Sequence, residues 1–182
     1  MKENEAFKFI GDMPSFNELL SDVLSLTPED WLEYVQRKKI GGAAGGSTDT
    51  IPLVYDVMQK LNSDVVHGHY VQFSKYLDEV VLATMETIGE VKIQQAILAR
   101  LRAKTTIPKH KDAGNPLTAK IHSQTHRIHV PVITNENCIF TIGDESKNLK
   151  PGQIWIVDNV GRHHGVKNNG NEDRVHLIID AV

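Results

Sequence analysis

The feature that most restricts the fold of this chain is an alternation of apolar and polar residues that runs from residue 91 to the C-terminus. It is clearest in HRIHVPVI, where Ile128 and Val130 share one face and Arg127 and His129 share the other. Successive side chains of an extended strand point to opposite faces of a sheet, so this period of two indicates strands. Short strands separated by turns at this spacing predict a jelly roll or a barrel-like sandwich.

The predicted strands are separated by segments rich in Asn, Gly and Pro. They cover residues 93–107, 126–133, 138–142, 153–158 and 174–180. On the last strand, Arg174 and His176 share the face opposite Val175 and Leu177. Two strands therefore each present an Arg-His pair, which either faces solvent or lines the mouth of a closed β-structure that holds a small ligand.

The first 90 residues follow the period of helices instead. Helix starts are predicted at Ser15, which opens a capping box, and at Thr27, which is followed by proline. The longest helix is predicted over residues 70–88, with Gly89 as its C-terminal cap. Residues 51–55 predict a short strand within this helical part.

Length and composition fit one domain, because 182 residues that are 40% hydrophobic can bury a sizeable core. We expect residues 1–182 to form a single domain, with a helical front end over 1–90 and the β-core over 91–182. Residues 41–46 read GGAAGG but lack the Gly-Lys-Ser/Thr of a phosphate-binding loop. A lid over a pocket and a plain flexible connection are the two interpretations of this segment.

The net charge and the lengths of the apolar stretches limit the kinds of partner that the protein can bind. The formal net charge of −3 excludes a general basic field for a nucleic-acid backbone. The N-terminal residues lack the pattern of a signal peptide, and no stretch reaches the about 18 apolar residues of a membrane span. We therefore expect a cytoplasmic protein with no nucleic-acid or membrane partner. The single cysteine, Cys138, forms no intrachain disulfide and is predicted to be a buried thiol.

The segment IPKHKDAG contains the best candidate for a metal site. His110 and Asp112 are two residues apart, so in an extended strand they point the same way and can take adjacent positions on one metal ion. A third ligand is available in the downstream pair His163 and His164, of which only one can face the site in a regular strand. Two histidines and one carboxylate form the facial triad of non-haem Fe(II) oxygenases.

The segments IPKHKDAG, HRIHVPV, GQIWIVDN and HHGVKNNGNEDRVHLIID, in this order, resemble the aspartyl/asparaginyl β-hydroxylase family of Fe(II)- and 2-oxoglutarate-dependent oxygenases, which includes proline cis-hydroxylase-like enzymes. The resemblance covers about residues 91–182. It implies a double-stranded β-helix, a cupin-like jelly roll, which agrees with the strand pattern above. The fold class we predict is mainly β with N-terminal helices.

The resemblance also implies the ligands of the metal. The family's first histidine and carboxylate match His110 and Asp112. Its distal histidine stands directly before a small-Val-x-Asn stretch, which matches His164 rather than the adjacent His163. The implied metal is Fe(II).

Three further residues are implied to bind the cosubstrate or the substrate. The family's 2-oxoglutarate arginine lies ten residues after the distal histidine His164, at Arg174. A guanidinium suits this role because it forms a bidentate pair with a carboxylate. The family's R-x-H motif is matched by Arg127 and His129, which are expected to contact carboxylates of the cosubstrate or substrate.

Weaker expectations concern five other residues. We expect Asp158 and Asn159 to help orient the metal ligands, and Trp155 either to do the same or to pack in the core. Arg100 and Arg102 lie on a polar strand face, which favours a solvated face over an anion site.

The activity that the resemblance implies is hydroxylation of an unactivated C–H bond with Fe(II), 2-oxoglutarate and O2, yielding succinate and carbon dioxide from the cosubstrate. The substrate is either a small amino-acid-like molecule, which a spare Arg127 suits, or an Asp, Asn or Pro residue in a peptide. Two alternatives are a non-catalytic jelly-roll module that binds a ligand or metal, and a metal-dependent hydrolase or isomerase on a cupin-like barrel. Neither alternative explains the spacing between His164 and Arg174.

Overall fold

The structure is a computed structural model that describes residues 5–32, 48–55, 68–112, 125–159 and 161–182. The described residues form three helices, α1 (Phe16–Leu24), α2 (Pro28–Leu32) and α3 (Tyr70–Ile88). They also form ten strands: β1 (Phe7–Asp12), β2 (Thr48–Tyr55), β3 (Ile93–Leu101), β4 (Thr106–His110), β5 (His126–Ile133), β6 (Cys138–Ile142), β7 (Glu145–Lys147), β8 (Gln153–Val157), β9 (His164–Asn168) and β10 (Arg174–Ala181).

The strands form two antiparallel sheets. The major sheet has six strands in the order β1-β8-β5-β10-β3-β2, and the minor sheet has four in the order β4-β9-β6-β7. Strands distant in sequence are neighbours, as in β10, which lies between β5 and β3. The predicted jelly roll of mainly β structure is confirmed.

The helices cover one face of the major sheet. Ile128 and Leu177 on that face pack in one core with Phe73 and Leu77 of α3, and all four are buried. Burial of each such side chain contributes roughly 1.5–3 kcal/mol. The alternation along β5 and β10 therefore sends apolar residues to the helices and leaves the other face for the space between the sheets.

A second core fills part of that space. It joins Leu101 and Trp155 of the major sheet to Phe140 and Val166 of the minor sheet. Cys138 belongs to this core as a buried free cysteine, which confirms its prediction as a buried thiol. Burial raises the pKa of this thiol, so it stays protonated near neutral pH.

The first half of the chain contributes two strands to the major sheet. The strand predicted over 51–55 is the C-terminal part of β2, which pairs with β3. The strand β1 has no counterpart in our prediction; it pairs with β8 at the opposite edge of the sheet. Residues 1–90 therefore supply strands as well as helices.

The helix ends show which local signals operate. The bounds predicted for α3 are confirmed, and Gly89 caps its C-terminus with a φ of 89°. At α2, the Thr27 hydroxyl and the Asp30 carboxylate form a reciprocal capping box. The capping box predicted at Ser15 is wrong: its hydroxyl makes no cap bond and instead donates to Glu79 of α3 at 2.5 Å.

Two expectations lie at the limits of the described chain. The glycine-rich segment 41–46, predicted as a lid or a flexible connection, is outside the described residues. Within the described part, no helix is both long enough and apolar enough to span a membrane.

Candidate metal centre

His110, Asp112 and His164 come together at one end of the space between the sheets. One ligand atom from each lies within 4.8 Å of the other two. Asp112 Oδ1 is 3.3 Å from His110 Nε2 and 3.5 Å from His164 Nε2. Two imidazole nitrogens and one carboxylate oxygen at these separations match the donor set of a non-haem Fe(II) site.

A β-bulge between β4 and β9 aims His110 at this site. Ile107 pairs with Val166 and His110 pairs with His164, so Pro108 and Lys109 together oppose the single residue Gly165. Directly paired residues of an antiparallel sheet share a face. The extra residue changes the parity of β4, and His110 therefore joins the same face as Ile107.

The geometry predicted for His110 and Asp112 is wrong in one respect. We expected both side chains to share one face of an extended strand, but β4 ends at His110 and Asp112 lies beyond its end. The two groups meet because the carboxylate reaches the site from the segment that follows the strand.

The backbone orients both imidazole rings. His110 Nδ1 lies 2.8 Å from the carbonyl oxygen of Pro108, and His164 Nδ1 lies 3.4 Å from that of Arg162. A carbonyl oxygen only accepts hydrogen bonds, so Nδ1 carries the proton in each ring. The Nε2 lone pairs are left facing Asp112, as metal ligation requires.

Of the two adjacent histidines, the structure brings only His164 to the cluster. His164 is 5% exposed, whereas the side chain of His163 is exposed and its backbone carbonyl accepts a hydrogen bond from Gly143. The two side chains point to opposite faces of the chain, as an extended conformation demands.

The Asp112 oxygen that does not face the two histidines is held by hydrogen bonds. This oxygen, Oδ2, accepts hydrogen bonds from Arg127 NH1 and, at 2.5 Å, from Asn159 Nδ2. Burial alone would raise the pKa of this carboxyl, but the charge of Arg127 opposes burial, and the pKa is held well below its ordinary value. Asp112 is therefore an anion, as a metal ligand must be.

Arg174 is buried without a countercharge among the described residues. It is 2% exposed, and its Nη2 donates to His176 Nδ1 at 2.7 Å. Its Nε has no hydrogen-bond partner within the part of the chain that the structure describes. Burial lowers the pKa of Arg174 to about 10, so it remains charged at neutral pH. Because a buried, uncompensated charge is costly, this environment favours a bound anion.

His129 and His176 form a buried pair beside Arg174. Their Nδ1 atoms are 3.1 Å apart, and both side chains are almost fully buried. Burial and the Arg174 charge hold the pKa of each well below its ordinary value, so both rings are neutral. The Arg-His faces of β5 and β10 therefore point into the protein and not to solvent.

Arg127, the expected contact of a cosubstrate or substrate carboxylate, contacts two carboxylates of the protein itself. Its Nε lies 2.6 Å from Asp180 Oδ1 and its NH2 lies 2.8 Å from Asp180 Oδ2, while NH1 bonds Asp112. Burial would lower the pKa of Arg127, but these two carboxylates raise it. The guanidinium is thus charged and compensated before any ligand binds.

The remaining expected residues lie outside this cluster, except for Asn159. Arg100 and Arg102 share the buried carboxylate of Asp49, and Arg100 also stacks over Trp31, so they form neither an anion site nor a simple solvated face. Trp155 packs in the core between the sheets. Asp158 bonds Arg162 instead of a metal ligand.

The metal ligands, Arg127, His129, Asn159 and Arg174 open onto one cavity of about 100 Å³, or about 620 Å³ when the open space at its mouth is included. Apolar side chains line the rest of it, among them Ile97, Ile107, Phe140, Val166 and Ile178. A cavity with apolar walls and a few convergent polar groups is typical of a small-molecule site.

Asp180 is a buried residue that our reading of the sequence missed, and it contacts the site residue Arg127. A signal was present: positions 174, 176, 178 and 180 of β10 share a face, and a carboxylate there is unusual beside an arginine and a histidine. What the alternation does not show is that β10 pairs with β5 in the register that sets Asp180 opposite Arg127.

Comparison with known proteins agrees with this geometry. The sequence model described as aspartyl/asparaginyl beta-hydroxylase matches residues 51–182. None of the curated proteins matches the chain significantly in sequence.

Solved structures share the fold. An oxidoreductase of the 2OG-Fe(II) oxygenase family from Burkholderia pseudomallei gives a TM-score of 0.58 at 14% identity, over 74% of this chain and 65% of that one. The nickel complex of the non-heme monooxygenase ThoJ gives 0.57 at 14% identity, over 98% of this chain and 74% of that one. The chain thus spans just under two thirds of the length of the Burkholderia oxygenase.

Proposed function

This chain belongs to the aspartyl/asparaginyl β-hydroxylase family, and we propose that it is an Fe(II)- and 2-oxoglutarate-dependent hydroxylase. The observation that carries the proposal is the presence in one cavity of a three-ligand cluster and a buried arginine that has no carboxylate partner among the described residues. The first suits a metal ion and the second suits a carboxylate cosubstrate.

In this proposal His110, Asp112 and His164 hold Fe(II) through Nε2, Oδ1 and Nε2. The donor types fit, and the proton on each Nδ1 leaves the required lone pairs toward the site. Fe(II) with 2-oxoglutarate and O2 supplies the oxidising power for hydroxylation of an unactivated C–H bond.

Arg174 binds the distal carboxylate of 2-oxoglutarate. Its Nε, which lacks a partner among the residues described, and the cavity it lines support this role, because a carboxylate there would satisfy a buried donor and compensate a buried charge. His176 accepts from NH2 of the same guanidinium and limits its rotation. His129, whose ring packs beside Phe140, contacts the bound ligands from the cavity wall.

The substrate in this proposal is an amino-acid unit, either free as a small molecule or as an Asp, Asn or Pro residue of a peptide. The argument from a spare Arg127 no longer favours the free molecule, since Asp112 and Asp180 already compensate that charge. Succinate release measured with a panel of free amino acids and of short peptides containing the same residues would separate the two.

The proposal is tested by adding Fe(II) and 2-oxoglutarate to the metal-free protein without oxygen. We expect the weak visible charge-transfer band of the metal-cosubstrate chelate. His164→Ala should abolish the band, whereas His163→Ala should keep it, because the exposed neighbour is a matched control. Absence of the band in the wild type would overturn the proposal.

Arg174 has its own readout. Arg174→Gln should weaken 2-oxoglutarate binding by at least about 30-fold, equivalent to about 2 kcal/mol, because it removes the charged partner of a buried carboxylate. Fe(II) affinity should stay at the wild-type value. An unchanged 2-oxoglutarate titration would move the anchor to another residue.

A further inference from the structure

Arg127 is locked between two carboxylates by the register of the major sheet. Arg127 on β5 and Asp180 on β10 are direct cross-strand partners, so their side chains lie on the same face. Nε and NH2 of Arg127 contact Asp180 Oδ1 and Oδ2, a bidentate pair that fixes the plane of the guanidinium. The third nitrogen, NH1, is then aimed at Asp112.

This arrangement gives the two oxygens of Asp112 different surroundings. Oδ2 is occupied by Arg127 NH1 and by Asn159 Nδ2. Oδ1 faces the Nε2 atoms of both histidines, at 3.3 and 3.5 Å. Rotation of the carboxylate would break the bonds to Oδ2 inside a buried site, where lost hydrogen bonds are expensive.

We propose that Arg127 and Asp180 are positioning residues that hold Asp112 so that it offers a single oxygen to the metal. This inference rests on the proposed metal site. Ligation through one oxygen keeps positions open for other ligands, whereas a carboxylate bound through both oxygens would take up one of them. Asp180 contributes without touching the site, because it orients Arg127.

The position of Asp180 in the core supports a dedicated role. Its side chain is 4% exposed. A buried ion pair adds little to stability, because desolvation of the two charges offsets their attraction, so stability alone does not account for this pair. The major sheet contains a second buried carboxylate with arginine partners, Asp49 of β2, which pairs with Arg100 and Arg102. Asp49 thus offers a control with similar burial, and its arginine partners Arg100 and Arg102 do not line the cavity that holds the proposed ligands.

The test measures Co(II) binding to the metal-free protein without cosubstrate, by competition with a chromophoric chelator. Asp180→Asn and Arg127→Gln should each weaken Co(II) binding by about 10- to 100-fold, the usual effect of removing a group that orients a ligand. The visible spectrum of the Co(II) protein should also change, since Asp112 can then bind differently. Asp49→Asn should leave both the affinity and the spectrum at their wild-type values.

A second set of variants separates positioning from general damage to the fold. In an Asp112→Ala background, Asp180→Asn should have no further effect on Co(II) affinity, because the carboxylate through which it acts is gone. If Asp180→Asn alone does not fold, the double variant Arg127→Gln/Asp180→Asn removes both buried charges and replaces it in the same comparison.

Three results would overturn the inference. One is a wild-type Co(II) affinity in both single variants. Another is an undiminished effect of Asp180→Asn in the Asp112→Ala background. The third is Arg127→Gln protein that binds Co(II) normally but 2-oxoglutarate poorly, which would return Arg127 to ligand binding. Wild-type protein that binds no Co(II) would instead overturn the proposed metal site together with this inference.

Discussion

Substitution of Gly165 by alanine should distort the metal site by displacing β4 from β9. It stands on β9 beside His164 and faces the bulge of β4. A Cβ built at Gly165 would lie 2.8 Å from the carbonyl oxygen of Ile107 and 3.1 Å from the backbone nitrogen of Lys109. These are backbone atoms, so no side chain can turn away to make room.

The structure sets the size of the effect of Gly165→Ala. An ordinary contact begins at 3.4 Å, so β4 must move by about 0.6 Å, and His110 moves with it. Overpacking of this kind costs about 1–3 kcal/mol. This free energy can appear as a lower stability of the metal-free protein. If β4 instead moves away in the metal-free protein, metal binding must bring it back, and the free energy appears as a lower metal affinity.

The two losses are measured separately on the same sample. A thermal scan of the metal-free protein should show a Tm lower by up to about 12 °C, at about 2–4 °C per kcal/mol for this chain length. A Co(II) titration should show weaker binding by up to about 150-fold. The part of the free energy that does not lower the Tm should lower the Co(II) affinity.

Gly161→Ala is the matched control. Its Cβ would first meet the Asp158 carboxylate at 3.4 Å, an ordinary contact with a movable side chain. Both substitutions reduce the freedom of the unfolded chain to the same extent, so the comparison removes that contribution. If Gly165→Ala matches the control in both Tm and Co(II) affinity, the close approach of β4 to β9 does not set the geometry of the site.

Two further predictions concern the core. His176 is buried and neutral, with a pKa well below its ordinary value, so below about pH 6.5 the unfolded chain binds a proton there that the folded chain does not, and stability falls as the pH is lowered. His176→Gln should reduce the slope of the free energy of unfolding against pH by up to about 1.4 kcal/mol per pH unit. The measurement is urea unfolding of the metal-free protein between about pH 7 and pH 5. An unchanged slope would mean that His176 accepts the proton in the folded protein. Leu177→Ala should cost about 2–5 kcal/mol in the same assay, since Leu177 is fully buried against the helices, whereas Leu82→Ala on the exposed face of α3 should cost less than about 0.5 kcal/mol; equal losses would contradict the packing described for the sheet.

The sequence by itself determined the local structure and the identity of most groups at the site. Period-two alternation in HRIHVPVI and RVHLIID placed Ile128 and Leu177 on one face and Arg127 and Arg174 on the other, because the pleat of a strand depends only on the chain itself. The helix α3 was predictable for the same reason, since its apolar period and its capping glycine are both local signals.

Pairings between distant segments were decided only in the tertiary structure. The bulge opposite Gly165 reverses the face of His110, and no rule of local alternation predicts where such an extra residue will fall. The partner of Ser15 is likewise distant, since its hydroxyl bonds Glu79 instead of its own helix end.

Arg127 shows the physical reason for this division. Its residue type and its inward face follow from the sequence, and both suit the binding of a carboxylate. Which carboxylate it meets depends on the register between β5 and β10, which brings Asp180 beside it, and on the position of Asp112 beyond the end of β4. The strand pattern determines which way a side chain points, and the pairing of strands determines what it finds there.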